Sequence, residues 1–352
     1  MLVAAVVLSA SLAGCNTQTS TSAKSSDHPT HTTKAAVSRA IRGAPGWKSQ
    51  SLSIGSAVVT SNYDTEDLPG SVSCATKDFC IATGETGYVW KWNGLHWSLP
   101  TKAIDVTPSF RGAFAVSCPT PIFCMLITRD QGAIFDGHSW KPVEVNLEGS
   151  GGAPSLSCAS SELCLAENGS VSLWNGHEWK NQNENLLPNG SASVACASSD
   201  TSCIAVDAGG ITRAYRHGAW IDVGSIPTSP IVPLLFCASS DSCLGLDENG
   251  GTWRFNGTEW SQVAPSESTE LPEQMDCGSV DFCVATQNAE AMVWNGSNWS
   301  TQVPLYPQQS LADASGISCP PGSNSCVGIL QIFDGQGDLS SDWGLSYKPE
   351  NS

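Results

Sequence analysis

Seven pairs of closely spaced cysteines are the residues of this chain whose type and spacing most clearly allow chemistry. Each pair encloses five or six residues. The pairs are Cys74 and Cys80, Cys118 and Cys124, Cys158 and Cys164, Cys196 and Cys203, Cys237 and Cys243, Cys277 and Cys283, and Cys319 and Cys326. No Cys-x-x-Cys occurs and no histidine is interleaved at zinc spacing, which disfavours metal binding. Evenly paired cysteines predict disulfides and an oxidising, extracytoplasmic compartment.

The connectivity of these cysteines has two readings. Pairing within each copy needs no long-range coincidence, and closing so short a loop removes roughly 2 kcal/mol of unfolded-state entropy. Pairing between copies stays open from the sequence alone.

Carboxylates recur with similar regularity. An acid lies at or beside a Gly-bearing turn in six copies: Glu85, Asp130, Glu167, Asp207, Asp247 with Glu248, and Glu290. Segments between copies add Asp105, Glu144, Glu148, Glu184, Glu267, Glu270 and Glu273. Carboxylate oxygens can bind Ca²⁺ or attract a cationic partner. Aspartate is also an ordinary turn former.

Both sets recur because one cassette is repeated seven times. After each cysteine pair come an apolar stretch, a Gly-bearing turn, a second apolar or aromatic stretch, a tight turn and a tryptophan. The tight turns and tryptophans are Asn93-Gly94…Trp97, Asp136-Gly137…Trp140, Asn175-Gly176…Trp179, His217-Gly218…Trp220, Asn256-Gly257…Trp260, Asn295-Gly296…Trp299 and, more loosely, Asp334-Gly335…Trp343. First cysteines recur every 38 to 44 residues, a period typical of a β-propeller or a solenoid.

Each cassette contains four short strand patterns, so we expect an all-β, seven-bladed β-propeller of four-stranded antiparallel blades over residues 46–347. The Asn-Gly pairs predict type I′ hairpin turns. The tryptophan after each turn is expected to pack between blades, and the aromatic before it in the core. Those aromatics are Trp92, Phe135, Trp174, Tyr215, Phe255, Trp294 and Phe333.

The N-terminal end of this region carries a clue to ring closure. Gly46-Trp47 resembles an isolated fourth-strand ending placed before the first cassette. We therefore expect Trp47 to complete the last blade, leaving residues 348–352 as a tail.

Strand order assigns the connections to two faces. Cysteine hairpins and third-to-fourth-strand turns share what we call the disulfide face. Second-to-third-strand turns and blade-to-blade linkers share what we call the linker face. In propellers this second face commonly surrounds the mouth of the central channel, where ligands bind. The predicted ligand-binding rim therefore consists of Glu85, Asp130, Glu167, Asp207, Asp247 and Glu290. His96, His138, His177 and His217 lie at or near turns of different blades and are expected to be solvated.

The N-terminal residues predict a signal peptide and a site of lipid attachment. Residues 2–14 are apolar or small, too few to span a bilayer and typical of a signal-peptide core. Leu12-Ala13-Gly14-Cys15 resembles the bacterial lipobox, although no Lys or Arg precedes the core. This resemblance implies cleavage after residue 14 and a lipid on Cys15, which anchors the protein outside the cytoplasm. Residues 15–45 are typical of a Ser/Thr-rich tether.

The cassette resembles Trp-rich, disulfide-bearing β-propeller repeats of secreted bacterial proteins. Its Gly-x-x-Trp turn is similar to the Asp-box of sialidase-type propellers and to photosystem assembly-factor-like propellers. It departs from the Asp-box because Asn or Asp directly adjoins the Gly. The resemblance covers residues 46–347 and implies a fold rather than an activity.

Charge and motif content narrow the function. The formal net charge is −17, with 16 basic and 33 acidic residues, which disfavours nucleic acid. No Gly-x-Ser-x-Gly, His-Glu-x-x-His or P-loop occurs. We expect a monomeric, non-catalytic binding or scaffold module for an envelope protein, peptide or glycan, without a cofactor apart from the Ca²⁺ considered above. The alternative is a carbohydrate-active enzyme, hydrolase or lyase, on a sialidase-like fold, using two acids.

Overall fold

The strands form seven four-stranded antiparallel sheets in a computed structural model that describes residues 45–52, 69–106, 114–148, 154–182, 186–227, 232–265, 272–305, 312–333 and 339–349. In these ranges the regular elements are all strands. Cys15, the predicted signal peptide and the predicted tether lie outside them. No element of the described residues is an apolar helix long enough to cross a membrane.

The first three blades are simple meanders. Blade one contains β2 (Pro69–Thr76), β3 (Phe79–Gly84), β4 (Tyr88–Trp92) and β5 (Thr101–Lys102). Blade two contains β6 (Ala115–Thr120), β7 (Phe123–Ile127), β8 (Gln131–Phe135) and β9 (Trp140–Glu144). Blade three contains β10 (Ser155–Ser160), β11 (Leu163–Glu167), β12 (Val171–Trp174) and β13 (Trp179–Asn181).

The next three blades repeat this order. Blade four contains β14 (Ser191–Ala197), β15 (Ser202–Asp207), β16 (Ile211–Arg216) and β17 (Ala219–Ser225). Blade five contains β18 (Leu234–Ser239), β19 (Ser242–Leu246), β20 (Thr252–Phe255) and β21 (Trp260–Ala264). Blade six contains β22 (Gln274–Ser279), β23 (Phe282–Gln287), β24 (Glu290–Trp294) and β25 (Val303–Pro304).

The seventh blade closes the ring with both ends of the propeller. It contains β26 (Ala312–Ser318), β27 (Cys326–Phe333), β28 (Leu339–Tyr347) and, as its outer strand, β1 (Trp47–Ser51). The first strand of each blade contacts the first strand of the next, and β26 contacts β2. The predicted seven-bladed fold and the predicted role of Trp47 are confirmed.

The predicted alignment of the seventh cassette was wrong. Trp343 lies within β28 and pairs with Leu330 and Ser51. Tyr347 faces Cys326 and Trp47, the position that the aromatic before the tight turn holds in other blades. Because β1 supplies the fourth strand, this blade has no third-to-fourth-strand turn. Phe333, predicted to precede that turn, is the last residue of the second strand. Asp334-Gly335 lies outside the described residues.

The predicted type I′ turns were also wrong at the Asn-Gly pairs of blades one, three, five and six. At Asn93-Gly94 only the glycine has positive φ, at 92°. The Asn93 Oδ1 accepts hydrogen bonds from the backbone N–H groups of Leu95 and His96 at 3.0 and 2.9 Å. Asp136, Asn175, Asn256 and Asn295 repeat this pattern. The loop spans four residues, so an Asx turn suits it better than a two-residue hairpin.

Blade four contains the exception. Arg216 pairs with Ala219, which leaves only His217 and Gly218 in the loop. Both have positive φ, 51° and 81°, as a type I′ turn requires.

All seven disulfides lie within their own hairpins. Each joins the first and second strands at their hairpin end, with Cα atoms 3.9 to 4.1 Å apart. In blade seven the first cysteine, Cys319, directly follows β26. Local pairing, one of the two readings of the sequence, is the one found.

Aromatic pairs fill the region behind each hairpin. Ring centroids lie 5.0 to 5.8 Å apart in Trp47–Tyr347, Trp92–Trp97, Phe135–Trp140, Trp174–Trp179, Tyr215–Trp220, Phe255–Trp260 and Trp294–Trp299. The tryptophan after the tight turn also reaches the preceding blade. Trp260 Nε1 donates to Thr212 Oγ1 and Trp299 Nε1 to Thr252 Oγ1, both at 2.9 Å. The predicted packing between blades is confirmed.

Ring closure through β1 predicts that Trp47→Ala destabilises the propeller. Trp47 is buried against Tyr347, and truncating a buried tryptophan costs about 3–5 kcal/mol. Urea unfolding measures this loss. Lys48→Ala, an exposed change on the same strand, is the control and should alter stability by about 0.5 kcal/mol or less. Equal effects of the two substitutions would show that β1 does not close the ring.

Candidate functional site

The six predicted rim acids lie at the linker face, each on its own blade. Two of them are buried and accept hydrogen bonds from the backbone of their own turns. Asp207 Oδ1 accepts from the N–H groups of Gly209 and Ile211 at 2.8 Å, and its Oδ2 accepts from the side chain of Asn189 at 3.0 Å. Because these oxygens already have protein donors, Asp207 is a structural residue rather than an open ligand.

Asp247 repeats this arrangement in the next blade. Its Oδ1 accepts from the N–H groups of Asn249 and Gly251 at 2.8 Å. Its Oδ2 accepts from Trp253 Nε1 at 2.7 Å. A buried carboxylate with several donors stabilises its turn and is poorly available to a ligand.

The remaining rim acids are more accessible. Glu85, Asp130 and Glu290 are exposed. Glu167 is half-buried, and its Oε1 accepts from the N–H of Gly169 at 2.6 Å. A ligand role for these four residues stays a prediction.

The two faces differ in charge pairing. Exposed carboxylates of the linker face are Glu85, Asp105, Asp130, Glu144, Glu148, Glu248, Glu273 and Glu290. None of these forms an ion pair with a described residue. The described cations on this face are Lys102 and Arg129. Its negative charge is therefore largely uncompensated within the described chain.

The disulfide face, in contrast, pairs its charges. Its ion pairs are Lys77–Asp78, Lys141–Asp136, Lys180–Glu178, Arg216–Asp241 and Arg254–Asp281, with distances of 2.5 to 2.9 Å. Arg213–Asp222 joins the outer strands of blade four. Arg216 and Arg254 reach from one blade to the cysteine hairpin of the next, so these pairs also connect blades.

The described residues contain no group of three or more His, Cys, Asp or Glu side chains that could hold a metal ion. The predicted Ca²⁺ therefore has no ready-made ligand cluster among them. The histidines predicted to be solvated, His96, His138, His177 and His217, are all exposed.

A belt of hydrogen bonds surrounds the disulfide-face end of the central channel. The residue before the first cysteine of one blade accepts from the cysteine N–H of the next blade. Ser73, Ser117, Ser157 and Ser318 do so through Oγ, at 2.8 to 3.0 Å from the nitrogens of Cys118, Cys158, Cys196 and Cys74. Each such bond ties two blades together and contributes about 1 kcal/mol.

Asp276 replaces serine in this belt. Its Oδ2 accepts from the Cys319 N–H at 2.7 Å and from Ser318 Oγ at 2.9 Å. Its Oδ1 accepts from the Cys277 N–H at 2.8 Å. Burial raises the pKa of this carboxyl to about 6, although the three donors oppose the shift.

The belt changes at the junction of blades four and five and at the junction of blades five and six. Ala195 and Phe236 hold the serine position there and offer no side-chain acceptor. Asp200 connects blades four and five instead, because its Oδ2 accepts from the Ser240 N–H at 2.7 Å. Burial opposes ionisation of Asp200, but hydrogen bonds from Ser202 and Ser240 and the charge of Arg216 leave its pKa lowered.

A cavity of about 530 Å³ lies inside the belt. First-strand residues of all seven blades line it, together with hairpin residues such as Ser198 and Pro321. The sequence prediction directed attention to the other face and missed Asp276 and Phe236. Aligning the cassettes on their first cysteine would have found both, since each departs from the recurring serine.

No protein-family model and no curated protein matches the chain. Solved structures do match its fold. One, described as YCF48 bound to D1 peptide, has a TM-score of 0.58 and 12% sequence identity, and the match covers 87% of this chain and 98% of that one. Another, YCF48 from Cyanidioschyzon merolae, has a TM-score of 0.57 and 15% identity, covering 87% and 100%. The chain shares the fold of these propellers.

Asp276 predicts a specific pH dependence of stability. Its folded pKa of about 6 lies above the ordinary value of 3.8, so the folded state holds a proton that the unfolded state releases. Stability should fall as pH rises from about 4 to about 6, by roughly 3 kcal/mol at most. Asp276→Ser restores the serine of other blades and should flatten this slope in urea unfolding across that range. Asp130→Asn, an exposed control, should leave the slope unchanged; an unchanged slope in Asp276→Ser would contradict the assignment.

Proposed function

We propose that this protein is a non-catalytic binding module that engages a cationic segment of an envelope protein or peptide through its linker face. The uncompensated carboxylates of that face carry the proposal. Glu85, Asp130 and Glu290 project from the turns of three different blades, so an extended segment could contact several of them at once. Complementary charge steers such a partner and selects against acidic ones.

Two further observations support a binding role. The described residues form a rigid ring of disulfide-bridged blades, a scaffold suited to holding loops in place. One structural neighbour, the YCF48 propeller, was solved with a D1 peptide. That likeness supports a peptide as the class of partner, while the residues that would recognise it here are this chain's own.

The location of the protein is part of the proposal. Cys15, preceded by Leu-Ala-Gly, would carry the lipid that holds the propeller at the outer side of the membrane. Two acyl chains provide stable anchoring where one does not. Oxidised cysteine pairs in every blade agree with that compartment.

Removing linker-face charge should weaken binding of a basic peptide. The triple variant Glu85→Gln/Asp130→Asn/Glu290→Gln removes three exposed charges. At about 0.3–0.5 kcal/mol each, their loss should weaken binding of a fluorescein-labelled oligolysine peptide by about five- to tenfold at low salt. Fluorescence anisotropy measures the dissociation constant.

The matched control removes three exposed carboxylates from the other face, Asp78→Asn/Glu162→Gln/Glu259→Gln. It should bind the peptide nearly as wild type does. Equal weakening in both triple variants would mean that net charge alone governs binding and would refute a linker-face site. Hydrolysis of a glycan panel that is lost on a single acid substitution would favour the carbohydrate-active alternative.

Lipid anchoring makes a separate prediction. Cys15→Ser should move the protein from the membrane fraction to the soluble fraction and abolish incorporation of radiolabelled palmitate. Ser11→Ala, which leaves Leu-Ala-Gly-Cys intact, is the control and should remain in the membrane. Membrane retention of Cys15→Ser without label would show that another segment anchors the chain.

A further inference from the structure

The cavity at the disulfide-face end of the channel has one ionisable side chain among its lining residues. Asp276 is that residue, and no Lys, Arg or His lines the cavity. Its volume of about 530 Å³ is within the range of small-ligand sites, about 300–1,000 Å³. A single carboxylate in a walled cavity without cations favours a positively charged occupant.

An aromatic residue holds the equivalent register position in the neighbouring blade. Phe236 and Asp276 both immediately precede the first cysteine, in neighbouring blades five and six. Both line the cavity and are half-buried. The Asp276 carboxyl accepts three hydrogen bonds but keeps exposed surface in the cavity, whereas Asp207 and Asp247 are buried. Blades one, two, three and seven have serine at this position. The three departures from serine, Ala195, Phe236 and Asp276, lie in the consecutive blades four, five and six. Met275 adds an apolar wall next to Asp276.

Carboxylate and aromatic ring together form a recognised environment for an alkylammonium group. The carboxylate provides a charge-assisted hydrogen bond or ion pair, and the ring face attracts the cation through its quadrupole. Apolar side chains such as Leu235 and Ile317 can cover the alkyl part. A neutral ligand would gain nothing from the charge, and an anion would be repelled by it.

We propose that this central cavity binds an alkylammonium group, with Asp276 as its counter-ion and Phe236 as its aromatic wall.

The electrostatics around Asp276 agree with this assignment. The adjacent strands β18 and β23 have no charged residue, and β26 has only Asp313, at its opposite end. Asp281 in the neighbouring hairpin is paired with Arg254. Burial raises the pKa of Asp276 to about 6, so its charged form lacks a counter-charge above that pH. A bound cation supplies one.

The test uses the full chain and small probes. Isothermal titration calorimetry, with saturation-transfer NMR for weak binding, measures n-butylammonium and butyltrimethylammonium against neutral 1-pentanol. Binding of either cation should be at least tenfold tighter than binding of pentanol at pH 7.5. At pH 5 it should weaken about tenfold, because only about one carboxylate in ten is then ionised.

Two variants place serine at these positions, as in blades one, two, three and seven, so they are expected to fold. Asp276→Ser should weaken cation binding at least tenfold, and Phe236→Ser about two- to fivefold. Glu162→Gln, which removes a carboxylate on the same face outside this cavity, is the matched control and should bind as wild type does. Unfolding midpoints establish that each variant is folded.

The outcomes separate clearly. No cation binding to wild type, equal binding of pentanol, or wild-type affinity in Asp276→Ser would each overturn the proposal. Binding of N-acetyl-lysine methylamide alongside the free amine would support a lysine side chain as the natural source. Binding of the free amine alone would support a small amine. The linker-face interface is on the opposite face, so either site can fail without the other.

Discussion

The facing cysteines impose a constraint on which the rest of the ring depends. Their Cα separation of 3.9 to 4.1 Å matches the narrow, non-hydrogen-bonded pairs of an antiparallel ladder. The N–H of the first cysteine therefore points away from its partner strand, toward the free inner edge of the blade. A buried N–H without an acceptor costs about 1–3 kcal/mol, so this edge needs a partner from outside its own sheet.

The preceding blade provides that partner for five of the seven blades. Ser73, Ser117, Ser157 and Ser318 accept these N–H groups, and Asp276 does so for blade seven. The same short cassette thus holds the hairpin together by its disulfide and the blades together by its serine. Outer contacts add to this, since fourth-strand tryptophans and the arginines of blades four and five also reach across blade junctions. Closure by β1 is what allows such a cyclic set of contacts.

Much of the fold could be predicted because each cassette repeats the same local information. Cysteine spacing, strand patterns and the isolated Trp47 were enough for blade number, hairpin disulfides and ring closure. Turn type was not, because four residues separate the two aromatics both at Asn93 and at His217. Only the structure shows that the first loop has four residues and the second has two. The alignment of the seventh cassette was predicted wrongly because Asp334-Gly335 resembles in sequence the tight turn of blades that have their own fourth strand.

The candidate site was harder to predict for a physical reason. Asp207 and Asp247 have the same turn context as Asp130, but donors from neighbouring loop and strand residues bury and saturate them. Sequence position cannot distinguish a carboxylate that caps a turn from one that faces solvent. Asp276 and Phe236 were missed because they stand out only when equivalent positions of the blades are compared. That comparison places these two departures from serine in neighbouring blades, at the channel.

The hairpin disulfides are the feature on which belt, cavity and faces all rest. Non-reducing peptide mapping by mass spectrometry, on protein isolated without reductant, tests them most directly. We expect seven crosslinks, each within one hairpin, as in Cys118–Cys124 and Cys196–Cys203. Crosslinks between blades, or free thiols in these pairs, would contradict the hairpin pairing and reopen metal binding by the cysteines.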